Sequence, residues 1–159
     1  MLWEELASKL DGKTVVGAVG NPERGDDGIG PLVAKLLKEA GVEAVIETGT
    51  TQALGTHSIR KLEPNDVLFV DAVDFGGSPG DMSILGTEDL SQSAMDTHRM
   101  PLRLAMSCLE RDLKTRCYLL AIQPDDIRQG AGMTEEVRYA GASLAAMLLR
   151  DVFKSDKGV

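Results

Sequence analysis

The chain has 159 residues, with 25 acidic against 17 basic side chains and a formal net charge of −8. That length suits one domain with a core of its own, and the charge argues against nucleic acid or an anionic membrane as the main partner. Apolar residues make up 43% and charged residues 26%, the proportions of an ordinary soluble globule, and no apolar run approaches a membrane span.

Leu2 to Leu10 reads as a short helix with Trp3, Leu6 and Leu10 on one side. This start is acidic and amphipathic, not signal-like, so a cytoplasmic protein is expected. Asp11-Gly12 breaks the helix, and Thr14 to Val19 forms the first strand. The turn Gly20-Asn21-Pro22-Glu23-Arg24-Gly25-Asp26-Asp27 leads into a helix from about Gly28 to Ala40, closed by Gly41. A buried strand, a tight turn and a helix in that order open a βαβ fold. Glu43 to Glu47 is the second strand, followed by the small-residue stretch Thr48 to Gln52 and a short helix over Ala53 to Lys61.

Asp66 to Asp71 is the third strand, and its run Val67-Leu68-Phe69-Val70 predicts burial on both faces, as in a parallel sheet centre. Met82 to Leu85 follows too soon for a helical crossover, so it reads as an antiparallel edge strand. Thr87 to Ser93 is polar and reads as loop or a helical turn. Pro101 stands at the first turn of a helix reaching about Asp112, and Arg116 to Ile122 is the last strand. Thr134-Glu135-Glu136 opens a final helix to about Phe153, with a frayed tail over 154–159. The sum is a single α/β domain over 1–159. It is a three-layer sandwich, with a mostly parallel sheet of about five strands, one antiparallel edge strand and helices on both faces.

Ligands of such folds bind beyond the carboxyl ends of the strands. The first turn lacks the Lys-Ser/Thr of a P-loop, and Gly25, Gly28 and Gly30 do not fit a dinucleotide fingerprint. Two carboxylates there would repel a pyrophosphate, so a cation fits better and a nucleotide-binding regulator is disfavoured. Asp27 after the first strand, Asp71 closing the third and His98 in the loop before the next helix fall on one rim. Two carboxylates and an imidazole suit a borderline divalent ion such as nickel or zinc, with positions open for water or substrate.

Each residue has a plainer reading. Asp26 could be an N-cap and Asp27 a first-turn acid, Asp71 an acceptor at a strand end, and His98 a surface histidine. A free carboxylate pair is costly to bury, which predicts an open, solvated cleft without the metal. Asp74 could support Asp71, and Asp125 and Asp126 could cap or line the rim. His57 has no companion ligands. Cys108 and Cys117 lack metal spacing and read as reduced thiols. Met95, Met100 and Met106 read as core filler.

GNPERGDDGIG at Gly20 to Gly30, VDAVDFGGSPG at Val70 to Gly80, THRMPL at Thr97 to Leu102 and AIQPDD at Ala121 to Asp126 together resemble the maturation endopeptidases of nickel–iron hydrogenases. The resemblance runs from Val15 to the last helix. It implies that Asp27, Asp71 and His98 bind metal. It implies removal of a C-terminal extension from the hydrogenase large-subunit precursor once nickel is inserted, with the nickel carried by that precursor and no resident organic cofactor. Asp27 and Asp71 would be catalytic, with Asp27 the candidate base. Pro22-Glu23-Arg24 departs from relatives that carry an apolar residue in the turn, and should face the partner. Thr48-Gly49-Thr50 and Gln123 would border the groove for the tail. A monomer is expected, without nucleic acid or membrane partners. The rival expectations are an ordinary zinc peptidase and a nickel-dependent binding or delivery module without proteolysis.

Overall fold

The computed structural model describes residues 1–50, 52–92 and 100–154. Five strands form one sheet: β1 (Thr14–Val19), β2 (Val45–Gly49), β3 (Asp66–Ala72), β4 (Met82–Gly86) and β5 (Arg116–Ile122). Their order is β2-β1-β3-β5-β4; all pairings are parallel except that of β4 with β5. The expected antiparallel edge strand is therefore present. Every residue of β1 and β3 is buried, because helices cover both faces at the sheet centre.

Helices α1 (Leu2–Lys9), α2 (Ile29–Glu39) and α6 (Glu135–Asp151) cover one face, packing Leu6, Val33 and Leu144 against Val16, Leu68 and Leu120. Helices α3 (Gln52–Leu62), α4 (Thr87–Gln92) and α5 (Met100–Leu113) cover the other, with Ile59, Leu90 and Leu102 against Val15, Phe69 and Leu119. The strand residues alternate between these two clusters, as the pleat requires. Gly17 pairs with Phe69 across β1 and β3, and the Phe69 ring lies where a side chain at Gly17 would stand. At the opposite end of the sheet, buried Asp66 pairs with the Arg116 guanidinium, its Oδ2 accepting from Arg116 Nη2 at 3.2 Å and from Gly12 N at 3.1 Å. Among the described residues no helix is long and apolar enough to cross a membrane.

Three expectations are adjusted. The second strand lies two residues later than expected, because its extent follows β1: Val16 N donates to Ala44 O, and pairing then runs from Val45 to Gly49. Residues 87–92 form a helix, where loop or a single turn was expected. Asp89 Oδ2 accepts the Gly86 N–H at 2.7 Å at its start, and Leu90 is buried against the α5 side of the core. The helix after the first turn begins at Ile29, preceded by a 3-10 turn over Gly25–Gly28. Its end is as expected. Gly41, at φ +94°, donates to Lys38 O, and Val42 N donates to Leu37 O, the paired bonds of a Schellman cap.

Candidate active site

β1 ends at Gly20, whose φ of +131° turns the chain sharply back over the strand end. A Cβ at Gly20 would run into the carbonyl of Asp27, so only glycine lets the turn fold this tightly. The Asp27 carboxyl carbon lies 3.6 Å from that position, directly above the end of β1, and Asp27 Oδ2 accepts the Asn21 N–H at 2.8 Å. Gly30 sits against the backbone of Val19 and Val70, which seats the start of α2 on the ends of β1 and β3.

The last registered pair of β1 and β3 is Ala18–Val70, so Asp71 stands beside Val19 one step further along. Parallel neighbours run about 4.8 Å apart, which brings the ends bearing Asp27 and Asp71 together on one rim. Strand alternation directs Asp71 to the face covered by α3 and α5. Asp71 is buried, unlike the solvated position expected for it; Asp27 is only half-buried. The central place of β3, flanked by β1 and β5, accounts for that burial. His98, Met95, Thr51 and the tail from residue 155 lie outside the described residues, although α5, which follows His98, packs on the Asp71 face. Among the described residues no group of three His, Cys, Asp or Glu is placed to hold a metal ion.

Asp26 is not the N-cap of the following helix. It is fully buried and accepts Asp125 N at 2.8 Å, Asp126 N at 3.0 Å, Thr134 N at 2.7 Å and the Thr134 hydroxyl at 2.9 Å. Burial alone would raise its pKa, but the bonds from Asp126, Asp125 and Thr134 outweigh that and hold it below the ordinary 3.8. Its own N–H donates to Asp126 O at 2.8 Å. One carboxylate thereby ties the first turn to the β5–α6 loop and to the start of α6. Nothing local in the sequence marks this role, since the partners lie 99 to 108 residues away.

Gln123 organises the other side of the rim. Its Oε1 accepts Phe75 N at 2.9 Å and Gly77 N at 3.0 Å, while Nε2 donates to Asp74 Oδ1 at 3.0 Å. Asp74 consequently belongs to the β3–β4 loop. The Gln123 amide first, and then the Gly76 N–H, hold its carboxyl below the usual range. Thr48 donates to Ala18 O at 3.0 Å, joining β2 to β1 at the rim. Asp126 forms a fork with Arg128, which lowers its pKa to about 2. His57 is exposed on α3, Met106 is core, and Cys117 is buried with its thiol pushed up by desolvation.

The rim thus brings Asp27, in the turn after β1, and Asp71, in the last part of β3, to the same end of the sheet. The family model for the hydrogenase maturation protease HycI matches residues 31–151. The hydrogenase 3 maturation protease of Escherichia coli K12 is 36% identical over 129 residues, covering 79% of this chain and 82% of its own. The crystal structure of the [NiFe] hydrogenase maturation protease HycI from Thermococcus kodakarensis superposes with a TM-score of 0.85 at 29% identity, over 93% of this chain and 98% of that one. The solution structure of the endopeptidase HycI from Escherichia coli gives 0.74 at 31% identity, over 84% and 87%. The chain belongs to the hydrogenase maturation protease family, and its function is that of a hydrogenase maturation protease.

Proposed function

We propose that this protein is the endopeptidase that removes the C-terminal extension of a nickel-loaded NiFe-hydrogenase large-subunit precursor, reading the precursor's nickel through Asp27, Asp71 and His98. The observation that carries this reading is the Asp27 carboxyl above the end of β1, next to the strand end that bears Asp71. Family membership supports the hydrogenase precursor as substrate.

On this reading the nickel is part of the substrate. It arrives held by precursor groups, takes remaining ligands from the two aspartates and the histidine, and fixes the scissile bond at the rim. As a Lewis acid it polarises the scissile carbonyl or lowers the pKa of a bound water. Asp27, half-buried and accepting the Asn21 backbone N–H, takes the proton of the attacking water. Water adds to the carbonyl, the C–N bond breaks, and the proton passes to the leaving amine. Imidazole binds metal in its neutral form, so recognition weakens as pH falls below the ordinary histidine range. The protein acts as a monomeric single domain in the cytoplasm, where Cys108 and Cys117 stay as free thiols.

The test is intact-mass analysis of a cognate precursor incubated with the protein, with and without nickel loaded. Loss of a C-terminal fragment from the nickel-loaded form alone is the expected result. Cleavage regardless of nickel would point to an ordinary peptidase, and binding without mass loss to a delivery module. Asp27→Ala and His98→Ala should each abolish cleavage with little change in melting temperature.

A further inference from the structure

On the α2/α6 face of the same turn lies a groove of about 290 Å³. Its apolar surface comes from Pro22, Pro31, Leu32 and Met133, and two cations, Lys35 and Arg138, stand on it. The remaining lining is glycine and alanine, with no acidic residue among the described residues. In a chain with 25 acids against 17 bases, an acid-free groove with two cations departs from the rest of the composition.

Neither cation is used by the fold. Lys35 approaches Glu39 only at 4.0 Å, with both side chains largely exposed, a pair worth little. Arg138 makes no side-chain hydrogen bond or ion pair among the described residues; only its N–H is engaged, donating to Thr134 O. An exposed, unpaired guanidinium beside apolar surface matches a carboxylate flanking an apolar side chain, because its fork takes a carboxylate in bidentate fashion. The two prolines give the groove stiff walls and Met133 an adaptable one. Gly25 and Gly28 line the groove and also belong to the 3-10 turn that carries Asp27. Whatever docks there is continuous with the candidate active site.

We propose that this groove is a docking surface for a segment of the hydrogenase precursor in which an apolar side chain is flanked by carboxylates. The proposal rests on the precursor being the substrate. The groove positions that partner through charge and shape, and Asp27 and Asp71 play no part in it. The occupant is acidic because Arg138 has no side-chain partner among the described residues and Lys35 only a weak, exposed one in Glu39, and the apolar anchor supplies the contact that excludes water around them.

The experiment measures binding of the nickel-loaded precursor calorimetrically across a salt series, alongside cleavage kinetics. The chains compared are wild type, the double reversal Lys35→Glu with Arg138→Glu, and a control, Lys61→Glu, on the opposite face. The double variant is expected to weaken binding about tenfold or more and to flatten the salt dependence, with the loss appearing in KM and not in kcat. The control, which changes the net charge by −2 against −4 for the double variant, should match wild type at every salt concentration, so that a reversed charge away from the groove has no effect. Equal binding by wild type and double variant overturns the proposal, as does a loss confined to kcat. Loss of a dimer on size exclusion in the double variant also overturns it, by assigning the groove to a second copy of the chain. If wild type binds the precursor but cleaves nothing, the endopeptidase reading fails while the binding comparison still decides the groove.

Discussion

Asp26 offers the sharpest test of how the candidate site is held together. Replacing it by alanine would leave three backbone N–H groups, those of Asp125, Asp126 and Thr134, and the Thr134 hydroxyl without their acceptor. Each unmet buried donor costs on the order of 1–3 kcal/mol. The β5–α6 loop is largely exposed, so water re-satisfies part of this set, and a net loss of about 3–4 kcal/mol is expected. Asp26→Asn keeps the shape and one oxygen, but turns an amide NH₂ toward N–H donors; a loss of about 2–3 kcal/mol is expected.

The pH dependence supplies the independent check. The folded pKa of Asp26 lies below its ordinary 3.8, so its stabilising effect is complete above that value. It is lost as pH falls through 3.8 toward the lower folded value. Urea denaturation of wild type and Asp26→Asn should therefore show a gap that is full at pH 7 and narrows below about pH 4. A gap smaller than about 0.5 kcal/mol at pH 7, or one that stays constant through the acid range, would refute the reasoning.

Two further perturbations probe the rim. Gly25→Ala places a side chain at φ +53° and against the Asp126 carbonyl. It should cost about 3 kcal/mol or more in thermal or urea unfolding, while Gly132→Ala, with open space around it, should be nearly neutral. Gln123→Ala removes the acceptor of Phe75 and Gly77 N–H and the donor to Asp74. Amide exchange at residues 75 and 77 should speed up at least tenfold, and the Asp74 carboxyl, followed by NMR titration, should move up toward 3.8.

The element order and the architecture were legible in the sequence because their signals are local. Four consecutive apolar residues in Val67 to Val70 mark a doubly covered strand, and the short interval before Met82 excludes a crossover helix. Parallel topology then sends the ends of β1, β2, β3 and β5 to one rim, so Asp27 and Asp71 could be grouped from position alone, and the ends of β1 and β3 stand side by side. The details that failed are those set by partners. β2 begins where β1 offers a pairing register, and residues 87–92 coil because Asp89 closes the turn and Leu90 finds the core.

The burial of Asp71, the latch made by Asp26 and the hub made by Gln123 were decided by the tertiary structure alone. Each depends on groups that meet only after the chain has closed, such as Asp26 with Thr134 across 108 residues and Gln123 with Phe75 across 48. Hydrophobic period and turn chemistry act over a few residues and determine where strands and helices lie. Whether a carboxylate at a strand end becomes a latch or faces a substrate depends on which distant N–H groups reach it, and no local pattern encodes that.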